Sequence, residues 1–124
     1  MSPPVSVYSI NDTLARAAAL HKRFLSAALA EALEKKTPSE QRIMIGESLY
    51  PLVELLVPLF APKITGMLLE LPQAEIFRCL ESPEALKEKI NEAIVVLMDC
   101  YPKEMNLDEQ ETKKFRAAML SSKL

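Results

Sequence analysis

Three observations predict an all-α fold for this chain. Apolar residues recur at three- and four-residue steps along most of its 124 residues. No alternating run of β-branched residues occurs, and no Asn-Gly or Asp-Gly pair marks a hairpin. Nine prolines stand against two glycines, and several of the prolines sit where a helix would begin.

Taken in order, residues 1–10 read as a lead-in, and residues 11–36 as one long amphipathic helix. Its apolar positions are Leu14, Ala17, Ala18, Leu25, Ala28, Leu29, Ala32 and Leu33. Asp12 can cap its start, and Lys35 and Lys36 suit its negative end. Thr37-Pro38-Ser39-Glu40 then forms a capping box with proline at the first helical position. Ile43, Met44, Ser48 and Leu49 continue at helical steps. Tyr50-Pro51 is expected to bend or restart the helix, because proline lacks the N–H donor. Residues 52–59 read as a short apolar turn or two. Pro58 and Pro62 flank a turn, and residues 63–71 form the next helix. Pro72 opens another, through Leu80. Ser82-Pro83-Glu84 supplies a hydroxyl cap, a first-turn proline and a carboxylate at the positive end. The helix it starts runs to Asp99 or Cys100, with Leu86, Ile90, Ala93, Ile94 and Leu97 inward. Residues 106–109 cap a last, polar helix that ends near Ser121.

Hydrophobic residues make up 49% of the chain, enough for a packed core. The formal net charge of −2 is unevenly spread. Residues 1–36 hold five basic and three acidic side chains, residues 37–101 five and ten, and residues 102–124 five and four. An acidic middle repels phosphate, so direct binding of nucleic acid is not expected. Cys79 and Cys100 lie in helical patterns without a C-x-x-C motif and read as small core or rim hydrophobes. The longest apolar stretch, residues 49–61, is broken by Pro51, Glu54 and Pro58, so no membrane span is expected. No signal peptide is read at the start. Arg16, Lys22 and Arg23 on an alanine-rich helix have the look of a transit peptide, but no cleavage signal accompanies them. A cytoplasmic chain is the expectation.

Enzyme chemistry finds no footing. The single histidine, His21, lies on a charged stretch and reads as solvated. One histidine and two separated cysteines offer no metal-ligand spacing. Glycine at positions 46 and 66 alone cannot build a phosphate loop, and no Gly-x-Ser-x-Gly elbow exists. No catalytic residue, cofactor or metal is expected.

The two glycines are more informative. Both fall inside helical patterns, where each costs about 1 kcal/mol relative to alanine. Either they allow close packing of two helices, or they line a cleft that leaves room for a partner's side chain. Tyr50, one turn after Gly46, could wall such a cleft, and Thr65 would add a small polar rim.

At these residues the chain resembles a known family. Lys63-Ile64-Thr65-Gly66-Met67-Leu68-Leu69-Glu70 is similar to the signature of the MLLE (PABC) domain. That domain ends cytoplasmic poly(A)-binding proteins and occurs in one class of HECT ubiquitin ligases. Glu40-Gln41, then Gly46 through Leu52, and Leu80 through Leu86 with Lys89, Glu92, Ala93, Val96 and Leu97, match in order on either side. The resemblance implies a right-handed superhelical bundle of four to five short helices over residues 37–101. Residues 1–36 would add an N-terminal helix and residues 102–124 a C-terminal helical tail.

The resemblance also implies a function: capture of extended peptides carrying the poly(A)-binding-protein-interacting motif, found in translation and mRNA-turnover factors. Such a peptide wraps the signature helix and sets a phenylalanine and a leucine in two pockets. The aromatic pocket would comprise Ile43, Gly46, Glu47, Tyr50, Lys63, Thr65, Gly66 and Leu69. The leucine pocket would comprise Met67, Leu68, Lys89, Ala93, Val96, Leu97 and Cys100. Ile43 stands where the family usually has glutamine, and Cys100 where many members have histidine. Two alternatives remain from the sequence: a structural or oligomerisation bundle closed by its own termini, and a regulatory module of a ubiquitin ligase.

Overall fold

Residue 20 and residues 24–124 are described by the computed structural model. The expected lead-in over residues 1–10, the cap at Asp12 and the placement of His21 lie outside the described residues. Six helices and no strand occur among those described: α1 over residues 24–33, α2 Pro38–Leu56, α3 Ala61–Leu68, α4 Gln73–Glu81, α5 Pro83–Glu104 and α6 Glu109–Ser122. No helix among them is long and apolar enough to cross a membrane.

The starts follow the sequence signals. Thr37 Oγ1 accepts the Glu40 N–H at 3.2 Å, and Pro38 begins α2. Ser82 Oγ accepts from the Ala85 N–H at 3.2 Å, and Pro83 begins α5. Both satisfy a donor that the first helical turn would otherwise leave orphaned. At α6 the cap is Asp108, in a full capping box: its carboxylate accepts from the Glu111 N–H, and the Glu111 carboxylate accepts from the Asp108 N–H.

Two expected interruptions do not occur. α2 runs unbroken through Pro51 to Leu56. The proline removes the donor for the Glu47 carbonyl, but Glu47 and Pro51 are both exposed, so water can serve that oxygen. α5 likewise passes Cys100 and ends only at Glu104, with Pro102 inside its last turn. Asn106 closes α5 rather than opening α6. It adopts the left-handed conformation (φ 51°), with Leu107 N–H on the Pro102 carbonyl at 2.9 Å and Asn106 N–H on the Lys103 carbonyl at 3.3 Å. That is a Schellman ending with asparagine in the usual glycine place.

The core lies among α2, α3, α4 and α5. Leu49, Val53, Ile64, Ile90 and Ile94 are fully buried there. α3 is the central element, packed on one side by α2 and on the other by α5. α6 docks on α5 through Phe115, whose ring stacks on Tyr101 at 4.7 Å and meets Phe60 edge-on at 5.4 Å. Phe60 itself holds a left-handed backbone (φ 60°), a conformation costing on the order of 1 kcal/mol for a residue with a Cβ. Its edge-on contact with Tyr101 at 5.1 Å helps fix it. α1 meets α2: Leu33 and Ser26 are buried, and Gln41 Nε2 donates to the Leu33 carbonyl at 2.9 Å.

Candidate peptide-binding site

The residues expected to form the aromatic pocket come from one face of α2 and from α3 with the turn after it. The structure joins these two segments directly. A Cβ built on Gly46 would lie 3.3 Å from Leu69 Cδ1, so α3's end fills the space that Gly46 leaves. Arg42, one turn before Gly46, reaches the same place. Its Nη1 donates to the Leu69 carbonyl at 3.2 Å and its Nη2 to the Gly66 carbonyl at 3.5 Å. A cation on the carbonyls at a helix C-terminus meets the negative end of the helix dipole.

Gly66 behaves differently from Gly46. Apart from its chain neighbours and the backbone of its own helix, no heavy atom lies within 4 Å of where its Cβ would be, so a mid-helix glycine faces open space. The residue before it, Thr65, is buried, and its Oγ1 has no hydrogen-bond partner. Tyr50 is half-buried against the core cluster. The Glu54 carboxylate, one turn on, raises the pKa of its hydroxyl, and desolvation acts in the same direction. Ile43 and Glu47 are exposed beside them. Lys63 is exposed and pairs with Glu104 at 3.9 Å.

The residues expected at the leucine pocket lie on α3 and α5, which pack together. Leu68, Ala93 and Leu97 are buried in the core, while Met67 and Cys100 are half-buried and Val96 is exposed. Buried and exposed members of the set therefore alternate as a floor and a rim. Lys89 Nζ donates to Glu92 at 3.3 Å, and that bond and charge raise its pKa. Both cysteines are free, Cys79 buried and Cys100 half-buried.

The terminal helices lie elsewhere. α1 meets α2 at Gln41, and Ser48 and Leu52 line the cavity between the two helices. At about 100° per residue these positions are roughly 170° around α2 from Ile43, Gly46, Glu47 and Tyr50. α6 meets α5 at Met98 and Tyr101, Leu124 just after it meets Asn91, and Val95 lines the cleft beside them. Those positions are roughly 160° around α5 from Lys89, Ala93, Val96, Leu97 and Cys100. Neither described terminal helix covers the candidate faces.

Arg42 and Glu54 were not singled out from the sequence. A signal for Arg42 exists: it stands four residues before Gly46 and therefore on the same helical face. The Tyr50–Glu54 spacing carries the same information.

A family model described as the MLLE domain matches residues 32–97. Polyadenylate-binding protein 2 of Arabidopsis thaliana is 57% identical over 70 residues, covering 56% of this chain and 11% of that protein. Polyadenylate-binding protein 4 of the same plant is 54% identical over 69 residues, covering 56% of the chain and 10% of the relative. Polyadenylate-binding protein 5 is 55% identical over 69 residues, with the same two shares. The chain thus matches about a tenth of the length of these curated relatives.

Proposed function

The chain belongs to the MLLE domain family, and on that premise we propose that it is an adaptor that captures extended peptides anchored by a phenylalanine and a leucine. The partners are cytoplasmic translation and mRNA-turnover proteins carrying the poly(A)-binding-protein-interacting motif. The phenylalanine enters beside Gly66, between α2 and α3, with Tyr50 as a wall. The leucine enters between α3 and α5, above Leu68, Ala93 and Leu97. Residues 37–101 carry this activity, and among the described residues neither α1 nor α6 lines the groove.

The observation that carries this reading is the open space at Gly66. A glycine inside a helix costs about 1 kcal/mol, and here no neighbour occupies the room it leaves. Gly46 supports the closer packing of α2 on α3 instead, which sets one side of the same cleft. Against the alternative of a bundle closed by its own termini, both described terminal helices, α1 and α6, lie on the far sides from these faces. An exposed hydrophobic rim at Ile43 and Val96, 61% and 48% exposed, suits a groove for apolar anchors.

The test is isothermal calorimetry of the full chain with a synthetic peptide bearing both anchors, and with its phenylalanine-to-alanine variant. Binding at a micromolar dissociation constant, weakened at least about tenfold by the variant, is the expected outcome. No binding of either peptide would overturn the reading.

A further inference from the structure

We infer, on the basis of the peptide site proposed above, that Arg42 is a positioning residue for the aromatic anchor: by holding two carbonyls of α3's last turn, it presets the space beside Gly66. A helix leaves its last four carbonyls without intrahelical donors. At the end of α3 the Glu70 N–H turns back to the Met67 carbonyl at 3.2 Å, and the Leu71 N–H to the Leu68 carbonyl at 3.1 Å. These are three-residue steps, so the Gly66 carbonyl misses the donor that a four-residue step would bring. Three residues beyond Leu69 stands Pro72, which has no N–H to offer. Among the described residues no main-chain N–H reaches the Gly66 or the Leu69 carbonyl. Arg42 donates to both, at 3.5 Å and 3.2 Å.

The residue type suits the task. A guanidinium is planar, stays charged and presents several donors in one fork, so a single side chain can serve two carbonyls at once. No carboxylate among the described residues forms an ion pair with Arg42. Its two partners are also the two residues that define the cleft. Leu69 fills the room left by Gly46, and Gly66 opens onto empty space. One side chain of α2 thus fixes the peptide units at both places and ties together the two helices that wall the aromatic pocket. Without it, water would take the two carbonyls, and the end of α3 could shift against α2. A site that must be rebuilt as its ligand arrives binds more weakly than one already set. Arg42 makes no hydrogen bond to the residues expected at the leucine pocket, so that anchor should be indifferent to it. Because Arg42 is exposed, the chain should still fold without it.

NMR titrations of the full chain and of Arg42→Met with three synthetic peptides test this. One peptide carries both anchors, one has its phenylalanine changed to alanine, and one has its leucine changed to alanine. Arg42→Met should weaken the two-anchor peptide at least about fivefold, and the peptide lacking leucine by the same factor. The peptide lacking phenylalanine should lose less than about twofold. Arg42→Lys keeps the charge and a donor, and it should recover part of the loss. In free Arg42→Met the carbon-13 carbonyl resonances of Gly66 and Leu69 should move, while circular dichroism stays that of the parent. Parent-like affinity of Arg42→Met for the two-anchor peptide overturns the proposal. So does an equal loss for all three peptides, which would mark a general structural role, or a lysine variant that recovers nothing. A parent chain that binds none of the peptides sinks the peptide site itself and this role with it, a result distinct from a parent that binds and a variant that binds as well.

Discussion

Arg116 on α6 donates through Nε to the carbonyl of Met98 on α5, at 3.2 Å. That carbonyl is the one Pro102 leaves without its helical donor, four residues on. The interaction therefore mends the ladder of α5 from a neighbouring helix, and it fixes how α6 sits. Arg116→Met should cost about 1 kcal/mol in urea denaturation. In a Pro102→Ala background the Met98 carbonyl regains a backbone partner, so the cost of Arg116→Met should fall by about 0.5 kcal/mol or more. Additive effects in the double-mutant cycle would show that the two residues are not linked.

Gly66→Ala separates stability from function. Its new methyl meets nothing outside its own helix backbone and chain neighbours, so the helix should gain about 0.5–1 kcal/mol from relief of glycine's backbone entropy. If the open space receives a phenylalanine ring, the same change should weaken peptide binding at least about tenfold. Gly46→Ala offers the contrast: its methyl presses on the flexible end of Leu69, and stability should change little. A Gly66→Ala protein that binds peptide as the parent does would remove the ring from this place.

Tyr50 has its own signature. The Glu54 carboxylate holds its pKa above the ordinary 10.0. The stability this adds is complete below the unfolded value and lost as pH rises through the folded one. In a Tyr8→Phe, Tyr101→Phe background, ultraviolet titration should place the remaining hydroxyl above 10.0, and Glu54→Gln should bring it down. For binding, Tyr50→Phe should be silent because stacking needs only the ring, whereas Tyr50→Ala should weaken the peptide roughly 5- to 150-fold.

Phe115→Ala probes the tail. The ring is buried against Phe60 and Tyr101, so its removal should destabilise the chain by about 3 kcal/mol. Because α6 lies on the far side of α5 from the leucine pocket, peptide affinity of the folded protein should stay within about twofold. A large loss of affinity at temperatures well below unfolding would mean that α6 shapes the groove.

Capping made the helix starts legible in the sequence. Thr37 and Ser82 act where a hydroxyl followed by proline and glutamate announced them. The ends were less legible, because proline's effect depends on whether anything replaces its missing donor. At Pro51 water can do so, and at Pro102 Arg116 does, a contact spanning 18 residues that no local pattern encodes. Asn106 and Asp108 were read as one start, although the first closes α5 and the second opens α6. Within the candidate site, both glycines were conspicuous, but their difference was not. Only packing tells that Leu69 fills the room at Gly46 and nothing fills it at Gly66. Arg42 escaped notice because its partners are main-chain carbonyls far along the chain.

The central claim, a peptide held around α3 between α2 and α5, is tested most directly by a nitrogen-15 NMR titration of the full chain with the two-anchor peptide. Amide shifts should concentrate at residues 43–50, 63–69 and 89–100, with those of α1 and α6 nearly still. Shifts centred on α1 or α6, or a spectrum that does not change at saturating peptide, would contradict it.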